Sequence, residues 1–314
     1  MKKLNRLKVN FLGVEFDNPI VTSSGCFGFG TEFKDYCDPN VLGGITLKGL
    51  TLEPRTGNLG TRIAETPSGI LNCVGLENPG IDYFEKEIIP NLKKQGVDKT
   101  NIIVNINGSS VEQYVELAKR VNEIEEIDLV ELNISCPNVK DGGMAFGANP
   151  EVAGRTTREV KKVLTKKPLI VKLSPNVTNI VEIAKIVEAN GADAISMINT
   201  LLGMRIDIKT GKPILGNVMG GLSGPAVKPV AVRMVYQVAQ NVNIPIIGMG
   251  GISSYEDAVE FIMAGGTLVS LGTALFPNPV LPVEVRDGLQ KYAEENNLEN
   301  IQDIRGITFK NLKK

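Results

Sequence analysis

Cys136 is the side chain that the sequence marks most clearly for acid–base chemistry. It stands before Pro137 in the stretch ELNISCPNVKDGG (131–143), where an apolar run ends and a glycine-containing loop begins. A thiol with a pKa of about 8.5 is a workable base near neutral pH, and Pro137 fixes the local backbone and removes one N–H donor. On spacing alone, a buried structural cysteine is the commoner outcome.

Other acid–base and metal chemistry is restricted by composition. The chain has no histidine, the commonest general base and metal ligand. The four cysteines form no C-x-x-C pair, which argues against a zinc or iron–sulfur site, and we expect no metal. No secretory signal precedes Leu4, so a reducing cytoplasm is expected. The cysteines are Cys26, Cys37, Cys73 and Cys136.

Polar side chains and glycines recur where short apolar runs end. Three are asparagines and two are lysines, groups that would converge if all the runs ended at one face. The plain alternative is that each of them merely terminates a strand. Glycines in GMGGISS (248–254) and LGTALF (271–276) indicate a phosphate site, because their N–H groups approach an anion closely. The residues at the ends of the runs are Ser24, Lys48, Asn105, Asn133, Lys172, Asn199, Gly250 and Gly272.

Eight apolar runs predict strands buried on both faces. Amphipathic segments between them predict helices, with capping boxes at Ser109/Glu112 and Ser253/Glu256. The alternation predicts a (β/α)₈ TIM barrel, whose active site lies at the carboxyl ends of the strands. An N-terminal hairpin and long structureless loops over 50–80 and 200–224 are also expected. A doubly wound open sheet is the alternative, but no G-x-G-x-x-G follows the first strand. The predicted strands are 19–24, 44–49, 101–106, 128–133, 168–174, 194–199, 244–250 and 268–273.

The composition is ordinary for a globular protein, with 42% hydrophobic and 22% charged residues among 314. The net charge of −1 argues against a nucleic-acid partner. The tightest basic cluster, Lys161, Lys162, Lys166 and Lys167, is interpreted as a solvated helix end. No apolar run reaches the roughly 18 residues of a spanning helix, so no membrane contact is expected. Residues 1–314 are predicted to form one domain.

Eight motifs in order resemble the class 1 dihydroorotate dehydrogenases, and within them type B. The resemblance covers essentially the whole chain. The motifs are NPIVTSSGCFGFG (18–30), LKG (47–49), SGILNCVGLENPG (68–80), ELNISCPNVKDGGMAFG (131–147), VKLSPNVTNI (171–180), MINTLLGMRID (197–207), GGLSGPAVKP (220–229) and IPIIGMGGI (244–252). Gly49, where alanine is common, and Cys73, where a small apolar residue is common, depart from the pattern.

The resemblance implies an FMN-containing barrel that oxidises dihydroorotate to orotate in pyrimidine synthesis. Cys136 would take the proton from C5 while a hydride leaves C6 for the flavin, and Lys172 would stabilise the charge on the reduced flavin. The implied substrate set is Lys48, Asn72, Cys73, Val74, Gly75, Leu76, Asn133, Asn199 and Thr200. The implied FMN set is Ser24, Lys48, Gly49, Asn105, Asn133, Lys172, Ile198, Gly224, Gly250, Gly251, Gly272 and Thr273.

Resemblance to type B further implies a partner subunit that carries FAD and a [2Fe-2S] cluster and passes electrons to NAD. The expected assembly is a homodimer with two such subunits, a heterotetramer. Three alternatives stay open at this point: a type A-like enzyme that uses fumarate, a flavin barrel similar to the tRNA dihydrouridine synthases, and a non-catalytic scaffold.

Overall fold

The structure, a computed structural model, describes residues 5–135, 140–141, 144–145 and 147–312. Its centre is a closed barrel of eight parallel strands, neighbours in space in the order of the chain. This confirms the predicted TIM barrel. The strands are β1 (Ile20–Thr22), β2 (Gly44–Thr46), β3 (Asn101–Ile106), β4 (Leu129–Asn133), β5 (Leu169–Lys172), β6 (Ala194–Met197), β7 (Ile246–Met249) and β8 (Leu268–Leu271).

Helices follow seven of the eight strands. The helix after β2 contains one π-helical turn, Phe84–Ile88. The expected first helix is absent from residues 23–43, where the chain forms only the 3₁₀ turn Pro39–Val41. Positive φ angles at Gly25, Gly28 and Gly30 bend this segment too tightly for a helix. The helices are Ile81–Tyr83, Ile89–Lys94, Val111–Glu123, Pro150–Val163, Ile180–Ala189, Lys228–Ala239, Tyr255–Met263, Leu281–Glu295 and Ile307–Asn311, with 3₁₀ turns at Pro225–Val227, Thr273–Leu275 and Ile301–Ile304.

Both predicted N-caps were placed one residue too early, and only the second helix has a capping box. Ser110, not Ser109, caps Val111–Glu123, and its side chain accepts from the N–H of Gln113. Ser254, not Ser253, caps Tyr255–Met263, and its box partner is Asp257. Each cap is the second of two adjacent serines, so the spacing rule fits either serine.

The N-terminal hairpin closes one end of the barrel. Strands Val9–Phe11 and Val14–Phe16 pair antiparallel, as expected. The rings of Phe11 and Phe16 meet edge to face at 6.0 Å and pack in one cluster with Val21 of β1 and Leu129 of β4. Because the hairpin covers this end of the barrel with apolar side chains, the opposite end, at the carboxyl ends of the strands, is left for a site.

The two long connections were expected to be structureless, and this expectation was wrong. They share one antiparallel sheet. The antiparallel strands Ile63–Thr66 and Gly69–Asn72 form a hairpin in the first connection. Met219–Ser223 of the second connection pairs with Gly69–Asn72 and also with Leu201–Met204. We call these four strands the loop sheet. A further short pair, Ile206–Asp207 with Lys212–Pro213, follows it in the second connection.

The basic cluster is only partly solvated. Lys167 is buried, and its Nζ donates to the carbonyl of Ile127. Burial lowers the pKa of Lys167. Lys161 forms an ion pair with Asp193, at 2.5 Å. Among the helices within the described residues, none is long and apolar enough to cross a membrane.

Candidate active site

Three predicted side chains converge at the open end of the barrel. Asn105, Asn133 and Lys172 come from β3, β4 and β5, and all three are buried. Lys172 lies level with Asn133 on one neighbouring strand and with Ser196 on the other. The three polar side chains therefore stand on adjacent strands at one end of the barrel.

Glu131, two residues before Asn133 on β4 and level with Asn105 on β3, is a buried carboxylate that sequence reasoning did not single out. Its Oε2 lies 3.9 Å from Lys172 Nζ, and the two side chains are only 2% and 6% exposed. The amide of Asn105 donates to the same oxygen at 2.5 Å, and Ser196 Oγ donates to Oε1 at 2.6 Å. A buried charge of this kind is tolerated because it is paired and hydrogen-bonded.

A chain of side-chain hydrogen bonds runs outward from Glu131. Asn107 Nδ2 donates to Asn105 Oδ1 at 2.7 Å, and Asn133 Nδ2 donates to Asn107 Oδ1 at 2.8 Å. The hydroxyl and the N–H of Ser135 both donate to Asn133 Oδ1. We call Asn105, Asn107, Asn133 and Ser135 the amide chain.

Asn199, at the end of β6, joins the amide chain to the second long connection. Its Nδ2 donates to Ser135 Oγ, and its Oδ1 accepts from the N–H of Thr200 at 2.7 Å. Asn176 then donates to the carbonyl of Thr200 at 3.0 Å. The Thr200 side chain packs on Gly221, where any Cβ would collide with it. Asn199 and Thr200 are therefore brought to the site together.

Asn72 reaches the same place from the first long connection. Its Nδ2 donates to the carbonyl of Gly221 at 3.4 Å, opposite Thr200.

Lys48, after β2, is half-buried, and its ammonium group makes no hydrogen bond or ion pair to any residue that the structure describes. The pKa of Glu77 is lowered chiefly by a hydrogen bond from Arg62 and further by the charge of Lys48. Lys48 is thus a cation near the loop, with its donors available to a ligand.

Gly49 fits closely beneath the amide chain. A Cβ on this residue would lie 2.7 Å from Asn107 Nδ2 and 3.0 Å from Asn105 Oδ1. Both distances are shorter than ordinary carbon contacts, so a side chain would displace one of the amides. Gly49, where alanine is common in the family, therefore leaves room for the Asn107 amide in this chain.

The loop after Asn72 offers free backbone donors. The N–H groups of Val74, Gly75 and Leu76 donate to no residue in the described part of the chain. Gly75 and Leu76 both have positive φ angles, +83° and +57°. Consecutive N–H groups in such a loop form a concavity that suits an anion.

Cys73 continues the pairing at the edge of the loop sheet and does not add its N–H to this row of donors. Its N–H donates to the carbonyl of Arg62 at 2.8 Å. Its thiol lies 3.7 Å from the carbonyl oxygen of Thr61, within a small apolar cluster that includes Leu71 and Leu215. Both groups therefore have partners within the chain, and the predicted place of Cys73 in the substrate set stays a prediction.

Glycines of the loops after β6 and β7 meet next to Ile198, the residue before Asn199. A Cβ on Gly251 would lie 2.7 Å from the carbonyl oxygen of Gly224, and one on Gly250 would lie 3.4 Å from the side chain of buried Ile198. All three glycines have positive φ angles, of 77° to 128°. Only glycine allows this close approach of the loops after β6 and β7.

The loops after β6, β7 and β8 carry unused N–H donors. None of the N–H groups of Gly224, Gly250, Gly251, Gly272 and Thr273 donates to a described residue. Such a group of donors is a suitable cradle for a phosphate.

Ser24, after β1, donates from Oγ to the carbonyl of Leu47 and so holds the loops after β1 and β2 together.

The N-terminus of the helix after β7 has its donors occupied within the chain. The carboxylate of Asp257 accepts from the N–H groups of Ser253 and Ser254, and Ser254 caps the N–H of Asp257. Lys228 pairs with the same carboxylate at 2.7 Å. Since these donors and the lysine are already satisfied, the glycine N–H groups are the donors left for an anion.

Cys26 lies at the rim of the cradle. Its sulfur is 3.9 Å from the position that a Cβ on Gly272 would occupy. Burial raises the pKa of Cys26 to about 11, against a smaller lowering effect of Lys172. Cys26 is therefore neutral at physiological pH.

Cys136 lies outside the described residues, so its predicted role as the base stays a prediction. Ser135, the residue before it, is buried and held by Asn133 and Asn199. No group of three or more Cys, Asp or Glu side chains among the described residues is arranged to hold a metal ion.

Comparison with known proteins identifies the family. Residues 6–292 match the family model described as dihydroorotate dehydrogenase. The chain belongs to the dihydroorotate dehydrogenase family. It is 61% identical over 303 residues, 96% of this chain and 99% of the relative, to a protein of Brachyspira hyodysenteriae named dihydroorotate dehydrogenase B (NAD(+)), catalytic subunit. Relatives of the same name occur in Alkaliphilus metalliredigens (56% identical, 98% of this chain, 99% of the relative) and Malacoplasma penetrans (51%, 99% and 100%).

Four residues of this dihydroorotate dehydrogenase barrel were missed by sequence reasoning: Asn107, Glu131, Ser135 and Ser196. Glu131 had a usable signal, because it is the only charged residue of β4 and follows the apolar run Leu129–Val130. A charge in a buried strand is rarely there without a partner. Asn107 and Ser135 follow their strands by one or two positions, where a polar residue gives no signal of its own.

Proposed function

We propose that this chain oxidises dihydroorotate to orotate as the FMN-containing catalytic subunit of a type B dihydroorotate dehydrogenase, within one domain spanning 1–314. The observation that carries the proposal is the convergence of Lys172, Asn133 and Asn199 with the glycine cradle at one end of the barrel. The names of the relatives support the activity, since each is the catalytic subunit of an NAD(+)-linked dihydroorotate dehydrogenase.

The described residues fit FMN. Gly224, Gly250, Gly251, Gly272 and Thr273 offer unused N–H groups for the phosphate. Lys172 supplies a buried cation where a reduced flavin would carry negative charge. Bound FMN would supply the hydride acceptor that no side chain can provide.

The chain's own residues would bind the substrate, orient it and move one proton. Lys48 and the N–H groups of Val74, Gly75 and Leu76 suit the substrate carboxylate, because they are donors without described partners. Asn72, Asn133, Asn199 and Thr200 suit the amide edge of the pyrimidine ring. Cys136 would remove the proton from C5, and the Cys73 thiol takes no part.

A partner subunit completes the proposal. The relatives are named catalytic subunits, which implies at least one further subunit. We propose that it carries FAD and a [2Fe-2S] cluster and reduces NAD, within a heterotetramer built on a dimer of this chain. A cytoplasmic location stays a prediction.

One preparation of the purified chain tests both the dihydroorotate activity and the assignment of NAD reduction to a partner subunit. The purified chain should absorb near 450 nm and should oxidise dihydroorotate with an artificial electron acceptor, but it should not reduce NAD alone. A colourless protein, or one that leaves dihydroorotate unchanged, would contradict the proposal. Turnover with fumarate would favour a type A-like enzyme, and an effect of tRNA would favour a dihydrouridine synthase.

A further inference from the structure

Glu131 has no assigned role, yet its carboxylate is held by side chains of three other strands. Its oxygens receive Asn105 Nδ2 at 2.5 Å and Ser196 Oγ at 2.6 Å, with Lys172 Nζ at 3.9 Å. These partners come from β3, β6 and β5. An ionised carboxylate accepts hydrogen bonds but donates none.

That restriction fixes the orientation of the first amide. Asn105 must present its NH₂ group to Glu131, which leaves Oδ1 facing Asn107. Asn107 then presents NH₂ to Asn105 and its oxygen to Asn133. Each amide of the chain is turned so that its donor faces Glu131.

The orientation decides what Asn133 can offer to a ligand. Its Oδ1 already accepts from both the N–H and the hydroxyl of Ser135, and one N–H is used by Asn107. The second N–H of Asn133 is the group that remains. It can recognise only an acceptor, such as a carbonyl or carboxylate oxygen.

We propose that Glu131 is a positioning residue, whose negative charge sets the direction of the amide chain and thereby makes Asn133 a donor to the substrate. It acts through Asn105 and Asn107 and touches neither substrate nor flavin. The proposal rests on the proposed function, because the ligand whose oxygen Asn133 would meet is orotate or dihydroorotate.

Glu131→Gln tests the direction of the chain. The new amide can donate to Asn105 and so allow Asn105, Asn107 and Asn133 to turn over, which would present the Asn133 oxygen to an oxygen of the ligand. We expect orotate to bind about 10- to 100-fold more weakly, the usual effect of one hydrogen bond involving a charged ligand. Orotate affinity is measured from the change it causes in the flavin spectrum, and FMN content from absorbance at 450 nm.

Two further variants separate orientation from mere packing. In Glu131→Gln/Asn105→Asp the new carboxylate accepts from Gln and still accepts from Asn107, so the original direction is restored and orotate affinity should recover. Glu159→Gln removes a partly exposed helix carboxylate paired with Lys162, and should leave orotate affinity unchanged.

The outcomes are distinct. If the parent protein holds no flavin or shows no response to orotate, the proposed function fails. If the parent responds and Glu131→Gln binds orotate equally well, the positioning role is overturned. Should Glu131→Gln lose its FMN, the double variant decides, since failure to recover both FMN and orotate binding would refute the role.

Discussion

The phenol of Tyr114 donates a 2.8 Å hydrogen bond to the backbone carbonyl of Asn133. Tyr114 is fully buried on the helix Val111–Glu123, and Asn133 is the last residue of β4. This contact fixes the strand end three residues before Cys136. The helix layer of the barrel therefore sets the position from which the predicted catalytic loop departs.

Tyr114→Phe should destabilise the protein by about 1–3 kcal/mol, because the buried carbonyl loses a donor. It should also slow flavin reduction by dihydroorotate, since the loop carrying Cys136 begins from a less fixed strand end. Thermal unfolding and stopped-flow absorbance at 450 nm measure the two effects. Tyr236→Phe is the control, because the Tyr236 hydroxyl makes no hydrogen bond to a described residue. Equal results for the two variants would contradict the role of Tyr114.

Cys136→Ser should slow proton abstraction by roughly 10²–10⁴ at neutral pH, the usual contribution of a general base. A serine hydroxyl hardly ionises at this pH, whereas a thiol does. FMN should stay bound, because Cys136 is not among the predicted flavin ligands. Flavin reduction in a single turnover gives the rate, and parent-like reduction at neutral pH would show that Cys136 is not the base.

Lys172→Met should leave Glu131 as an unpaired buried charge and destabilise the protein by about 3–5 kcal/mol. It should also lower the flavin midpoint potential, because the cation that stabilises the reduced form is lost. Lys185→Met removes an exposed lysine and serves as the control. An unchanged flavin midpoint potential in Lys172→Met would contradict the proposed role of this residue toward the flavin.

Cys26 makes stability depend on pH in the alkaline range. Burial raises the pKa of its thiol from 9.0 to about 11. The unfolded chain therefore loses this proton first, so the free energy of unfolding falls as the pH rises from about 9 to 11, by at most about 3 kcal/mol. Below pH 9 the thiol is neutral in both states, and the contribution is fully present.

Cys26→Ala should flatten this part of the stability curve, measured by urea unfolding at pH 8, 9, 10 and 11. Cysteine alkylation at pH 8, followed by mass spectrometry, should modify Cys26 slowly for the same reason. Rapid alkylation of Cys26 in the folded protein would contradict the raised pKa.

Cys73→Ala should bind orotate within about twofold of the parent, because the thiol packs in the loop sheet. The loss of the sulfur should cost ~1 kcal/mol of stability. Asn72→Ala, one residue earlier, removes a proposed substrate ligand and should weaken orotate binding at least about tenfold. Flavin-monitored titration compares the two variants, and a larger loss in Cys73→Ala would reverse these roles.

The barrel could be predicted because its signals are local. Each strand is a short apolar run buried on both faces, and each helix has a periodic apolar face. Cap positions were less certain where two serines stand together, as at Ser109–Ser110 and Ser253–Ser254. The loop sheet was missed although Pro67, Ser68 and Gly69 carry a turn signal, because the partner strand Met219–Ser223 lies about 150 residues away in the sequence.

The site was predicted for residues that end strands and was missed where a side chain acts through a neighbour. Asn105 and Asn133 stand at or near strand ends, which the barrel rule marks. Glu131 lies inside β4, and its importance depends on Lys172 and Ser196 from two other strands. Contacts between distant strands are set by barrel register, which no local pattern in the sequence reveals.

The loop sheet links two segments that the sequence separates widely. Gly69–Asn72 and Met219–Ser223 are paired strand to strand, and Asn72 and Thr200 meet on either side of Gly221. A change of length or of backbone direction in one connection would therefore break the pairing of the other. Transfer of either long connection into a related barrel would therefore require transfer of both together.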